Sequence, residues 1–152
     1  SKLSCAYDNI HRSIHVYVTI AGVIKDYSST DRTTWSNTTL VSGSRPSVVI
    51  ADFKKKFHYF VTGSGPYVLK GKHLDIEDNS LQSTFTILTS SNPIALVAGA
   101  SYSINGIHRV TLLLIIDGGI TVLNASDGIT FTLINTFTSS SPYLIEGAIP
   151  VW

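Results

Sequence analysis

The sequence predicts an all-β fold made of three related units, and three observations predict it. Apolar residues recur at every second position, helical periodicity is absent, and prolines and aromatics return at intervals of about fifty residues. Period two is plainest in Ile14, Val16 and Val18, with His15 and Tyr17 between them. Successive strand side chains point to opposite faces of a sheet, so the alternation separates an oily face from a mixed one. β-branched residues dominate the apolar set and lose little χ1 freedom in a pleated backbone. Every window with apolar residues at helical spacing is cut by Gly, Pro or a Ser/Thr cluster, which leaves room for a turn of helix only near 75–79.

The elements follow in order. The first unit, residues 1–45, holds strands at 3–7, 14–19, 23–27 and 34–41. The second, 46–92, holds 47–51, a run with few polar positions, then 57–62, 67–70 and 84–88. The third, 93–141, holds 94–98, 109–116, 120–124 and 129–134, and the remainder, 142–152, adds an extra strand at 143–145. Pro46, Pro93 and Pro142 open the first strand after each of three short polar runs, spaced 47 and 49 residues apart. Proline fits there because no neighbouring strand needs its missing N–H. Trp35, Phe85 and Phe131 recur at spacings of 50 and 46. Glycines 22, 63, 65, 118 and 119 fall in the second hairpin of each unit, where a left-handed backbone is wanted.

Two folds accommodate three four-stranded repeats in a single domain of 152 residues. One is a β-propeller, whose usual count of about 4 to 8 blades means that three would be completed by homo-oligomerisation. The other is a β-trefoil closing within one chain. The extra strand favours the propeller, since a strand exchanged between subunits can latch a ring.

Composition excludes several function classes. Charged residues make up 14% of the chain, below the roughly 25% of ordinary domains, so hydroxyls and amides cover much of the surface. A net charge of +1 offers no field for a polyanion, and the run Lys54, Lys55, Lys56 reads as a solvated hairpin tip, so no nucleic-acid partner is expected. Cys5 stands alone, which rules out an intrachain disulfide, and it reads as a buried, inert thiol. No apolar run approaches the ~20 residues of a membrane helix, and no signal peptide is visible, as expected of a soluble cytoplasmic protein or of a secreted one after processing.

No enzyme, metal or cofactor is expected. The histidines His11, His15, His58, His73 and His108 form no metal-ligand spacing, and the acidic group Asp75, Glu77, Asp78 reads as a solvated loop. Gly118 and Gly119 join two strands, without the helix that phosphate binding requires. Sugar recognition needs less: a ring beneath the C–H face of a saccharide and a few fixed donors and acceptors at its rim. Tyr17, Tyr27, Trp35 and Tyr59 supply rings, and His15, Asp26 and His58 supply polar partners.

The first unit, with Ile14-His15-Val16-Tyr17-Val18, then Gly22-Val23-Ile24-Lys25-Asp26-Tyr27, then Trp35 and Pro46, resembles a blade of the fungal and bacterial fucose-binding lectin propellers. The resemblance implies a sugar pocket between consecutive blades, formed by an arginine on the second strand, a glutamate on the third and a nearby aromatic. His15, Asp26 and Trp35 stand at those positions, so both polar residues differ from the family's. The second unit keeps His58 but has Leu69 or Lys70 in place of the acid, and the third has Thr111 and no acid. The expectation is a non-catalytic lectin, with glycans or glycoproteins as partners and shallow sites between repeats multiplied in a homo-oligomer. The alternative is a structural or protein-interaction domain, such as a trefoil-like inhibitor or a capsid or fibre domain.

Overall fold

The computed structural model describes residues 3–8, 10–42, 47–50, 55–75 and 83–138. Pro46, Pro142, Trp152, the extra strand expected at 143–145 and the turn of helix expected beyond Asp75 lie outside the described residues. Every element among the described residues is a strand, so the protein is all-β.

Among the described residues, twelve strands form three antiparallel four-stranded sheets, each in sequential order. The first contains β1 (Leu3–Asp8), β2 (Ser13–Ile20), β3 (Val23–Ser29) and β4 (Ser36–Ser42). The second contains β5 (Ser47–Ile50), β6 (Lys55–Thr62), β7 (Tyr67–Asp75) and β8 (Phe85–Ser90). The third contains β9 (Ile94–Ile104), β10 (Ile107–Ile116), β11 (Gly119–Ala125) and β12 (Thr132–Phe137). Among the described residues no strand pair joins one sheet to another.

Three hairpins close with two-residue loops whose residues both have positive φ: Ala21 and Gly22 at 50° and 74°, Asn105 and Gly106 at 51° and 75°, Asp117 and Gly118 at 51° and 72°. This mirror-image turn matches the right-handed twist of the strands it joins. Gly119, expected in the turn, is instead the first residue of β11. The hairpin at Asn105 extends β9 to Ile104, well past the expected end at 98. The strand expected at 129–134 begins only at Thr132, because Ile129 and Phe131 lie in the preceding loop and pack on the core.

The sheets stack face to face with the second in the middle. All six residues from Lys56 to Val61 are buried, which one covered face could not produce in a strand. Lys56 and His58 meet the first sheet, through His15 and Tyr17 respectively. Phe57, Tyr59 and Val61 point the other way, into a core with Leu96, Val110, Leu112 and Leu114 of the third sheet. The opening strands also neighbour one another, β5 lying beside both β1 and β9. Lys56 is therefore no solvated tip, and Cys5 is exposed on β1 instead of buried.

Candidate functional site

Polar chemistry concentrates at the boundary between the first two sheets. Asp8 ends β1 with its carboxylate buried; Oδ1 accepts the amide N–H groups of Ile10 and His11 at 3.0 and 3.1 Å. Oδ2 lies 3.0 Å from His11 Nδ1 and 3.4 Å from Lys56 Nζ. Burial alone would raise the Asp8 pKa, but the hydrogen bonds from His11, the Lys56 ammonium and the Ile10 amide outweigh it and hold it below the ordinary carboxyl value.

Ser13 and His15 share a face of β2, and Asp26 on β3 reaches the same face. His15 Nδ1 lies 3.0 Å from both Asp26 oxygens, while Nε2 lies 2.9 Å from Ser13 Oγ and 3.2 Å from Lys56 Nζ. The connectivity is that of a serine, histidine and carboxylate triad, in which a general base draws the proton from the serine. Lys56 changes that chemistry. Its Nζ lies 3.2 Å from the same Nε2 that contacts Ser13, so the imidazole links Asp26 and Ser13 of the first sheet to a lysine of the second.

Tyr17 packs between two imidazoles, stacked on His15 at 6.0 Å and edge-on to His58 at 5.0 Å. Burial, then the carboxylates of Asp26 and Asp8, raise its phenol pKa. Burial pushes the His58 imidazole down to about 4. The Tyr17 hydroxyl, Thr19 Oγ1 and both His58 ring nitrogens have no protein hydrogen-bond partner among the described residues. This boundary thus combines a satisfied charged end around Lys56 with an unsatisfied polar end around His58.

Solvent reaches a different place. A cleft of about 360 Å³ at one end of the first sheet is lined by Ser13, Ser28, Ser29, Thr30, Asp31, Thr34 and Ser36. Asp31 shapes it: Oδ1 accepts the amides of Thr33 and Thr34 at 2.8 and 2.7 Å and the Ser29 hydroxyl at 3.0 Å. The Arg32 amide in turn donates to Ser29 Oγ at 2.8 Å. These amide donors, Thr34 first, hold the Asp31 carboxyl well below its usual range. Arg32 takes the left-handed φ of 66° that turns the chain, and Trp35 follows, 44% exposed between two lining residues. Asp127 organises the corresponding loop of the third sheet, accepting the amides of Ile129 and Thr130 at 2.8 and 2.7 Å, with Gly128 at φ 71°. There the aromatic that follows, Phe131, packs on the core.

The expected site residues are distributed accordingly. His15, Tyr17, Asp26 and His58 meet between the first and second sheets. Tyr59 lies between the second and third, where its hydroxyl donates to the Gly128 carbonyl at 2.8 Å and its ring meets Phe131 edge-on. Tyr27 is half-buried opposite Val16, and Trp35 stands at the rim of the cleft loop. A sugar could touch His15, Tyr17, His58 or Tyr59 only if the sheets parted, whereas Trp35 is accessible as it stands. The hydroxyl-bearing lining of the cleft escaped the sequence reading; its signal is the run Ser28-Ser29-Thr30-Asp31-Arg32-Thr33-Thr34-Trp35, which matches 124–131 in the placement of Asp, Thr and aromatic. Among the described residues no group of three or more His, Cys, Asp and Glu is placed to hold a metal. Neither protein-family models nor curated proteins give a match to the chain.

Proposed function

We propose that the chain is a non-catalytic carbohydrate-binding protein, built as three blades of a β-propeller, that takes a saccharide at the cleft of the first sheet. The observation that carries this reading is the cleft itself: six hydroxyl side chains and one carboxylate surround it, and the half-exposed Trp35 indole belongs to the same loop. A saccharide needs many short polar contacts and one flat apolar surface, and among the described residues that line the cleft only Ser13 adjoins a histidine base. That base, His15, also meets Lys56 through the same nitrogen.

The propeller reading is supported by sheets that are each a simple meander, stacked face to face with their opening strands side by side. A β-trefoil closes its barrel with strands from all three units, and each described sheet draws on one segment only. The His15 and Asp26 pair, placed by resemblance in a sugar pocket, acts in this reading as the support beneath the cleft through Ser13.

A glycan array probed with the folded protein, followed by competition with free sugar, tests the proposal. Binding that is lost on Trp35→Ala or Asp31→Ala supports it; a folded protein that binds no glycan overturns it. The second reading, a structural or protein-interaction domain, is favoured by one observation, the exposure of Leu3, Ile104, Leu133 and Ile134 at 58–67%.

A further inference from the structure

The first and third sheets each bury one face against the middle sheet and leave the other uncovered within the described chain. In the first sheet that uncovered face carries Ile14, Val16, Val18 and Ile20 of β2, with Leu3 and Tyr7 opposite Val18 and Ile14 on β1. Leu3 is 67% and Tyr7 55% exposed. In the third sheet it carries Leu113 and Ile115 of β10, with Val122 and Ile120 opposite them on β11 and Phe137, half exposed, on β12. Tyr27 and Lys25 stand opposite Val16 and Val18 on β3, so the first face is apolar along β1 and β2 and mixed beyond them; contiguous apolar faces of this kind mark an interface.

The positions of these residues say what covers them. Tyr17, Tyr59 and Leu113 each stand four residues before the turn that ends the second strand of their sheet, at Ala21, Gly63 and Asp117. Counted this way, the face of Tyr17 corresponds to the faces of Tyr59 and Leu113, and the face of Val16 to those of His58 and Leu112. Within the chain a Tyr17-type face always meets a Val16-type face. Tyr17 meets His58 at the first boundary, and Tyr59 joins one core with Leu112 at the second. One face of each type is then left over: the Leu113 face and the Val16 face. They are the two halves of a third boundary of the same kind.

We infer that a second copy of this chain supplies that boundary: the Leu113 face of each copy seats on the Val16 face of the other, head to tail. Two such junctions close a ring of six sheets, within the usual blade count of about 4 to 8, and closure consumes both apolar faces, as a heterologous contact must if it is not to run on into a filament. The inference rests on the propeller arrangement of the sheets and not on sugar binding. Cys5, opposite Val16 on β1, lies inside the junction.

Light scattering on the purified 152-residue chain tests this. A closed pair has a mass of about 33 kDa, twice the 16.5 kDa of the chain. Val16→Lys and Leu113→Glu each place a charge on one face only, so each variant alone is expected at 16.5 kDa with unchanged far-ultraviolet dichroism. Mixing the two restores the pair, because one junction is then wild type and the other sets Lys against Glu. Cys5 reacts with a maleimide at least tenfold more slowly in the pair than in either variant. A monomeric wild-type chain overturns the inference, as would happen if residues 139–152 or an added domain cover these faces; so does a dimer unaffected by Leu113→Glu, the signature of two Val16 faces meeting each other. Sugar binding is read separately on the array. A monomer that binds glycan removes the ring and keeps the lectin, and a ring that binds none does the reverse.

Discussion

Lys56 Nζ lies 3.4 Å from the Asp8 carboxylate where the first two sheets meet, with 4% of one side chain and 1% of the other exposed. Two opposite charges removed from water are tolerable together and costly apart. Lys56→Met should therefore destabilise the protein by ~3–5 kcal/mol, the usual cost of stranding one partner of a buried pair. The double variant Asp8→Asn with Lys56→Met should lose much less than the sum of the two single changes. Urea denaturation of the four proteins measures this coupling, and additive losses would show that the two charges do not depend on each other.

His58 makes stability depend on pH. Burial holds its folded pKa at about 4, below the ordinary histidine value of 6.5, so between those values the unfolded chain takes up a proton that the folded one does not. Stability is then full above pH 6.5, falls as pH drops towards 4, and loses up to about 3 kcal/mol across that window. His58→Phe should flatten this slope. At neutral pH it should be neutral or stabilising by ~1 kcal/mol, because it removes two buried nitrogens that have no partner among the described residues. Thermal melts from pH 7.5 to 4 decide it; an unchanged slope in the variant would assign the titration elsewhere.

Acid below that window acts through Asp8. Its folded pKa lies below the ordinary aspartate value of 3.8, so the stabilisation it contributes is present above 3.8 and disappears as pH falls through the folded value. Asp8→Asn should show less further destabilisation between pH 4 and 2 than the wild type, measured by urea midpoint.

Gly128 should resist substitution. A Cβ there would sit 2.6 Å from the Phe57 ring, φ is +71°, and the carbonyl receives the Tyr59 hydroxyl. Gly128→Ala should cost ~2–4 kcal/mol from overpacking and left-handed strain together. Gly106, at φ +75° with open space around it, isolates the backbone part; Gly106→Ala should cost ~1–2 kcal/mol. Equal losses at both sites would remove Phe57 from the explanation.

The two aspartate loops allow an internal control on sugar binding. Asp31→Asn should lower glycan affinity at least tenfold by loosening the cleft wall, and Asp127→Asn, beside a Phe131 that packs on the core, should leave affinity unchanged. Calorimetric titration with a sugar selected on the array measures both. A loss of affinity in the Asp127 variant would mean that the third sheet also takes part.

The strands were legible because period two survives wherever one face is buried, as in Ile14 to Val18. It failed where side chains are small: Ala98-Gly99-Ala100-Ser101 shows no apolar alternation, so β9 was read only as far as 98 and the Asn105-Gly106 turn at its far end went unread. Apolarity misled at Ile129 and Phe131, which are oily because their loop packs on the core and not because they lie in a strand. The pairing of His15 with Asp26 could be anticipated from neighbouring strands. The burial of that pair could not, because the cover comes from Lys56 and His58 on another sheet, and nothing local in the sequence announces that a lysine will face inward. The cleft was missed because its donors and acceptors are ordinary serines and threonines, which acquire direction only once Asp31 has fixed their loop.

The strand from Lys55 to Thr62 is flanked by β5 and β7 at its edges and by a sheet on each side. Its peptide hydrogens can therefore reach deuterated solvent only when the whole stack opens. They should be the slowest in the molecule to exchange, with protection that tracks the global unfolding free energy, while those of β4 and β12 trade places with solvent through local fraying at the rims.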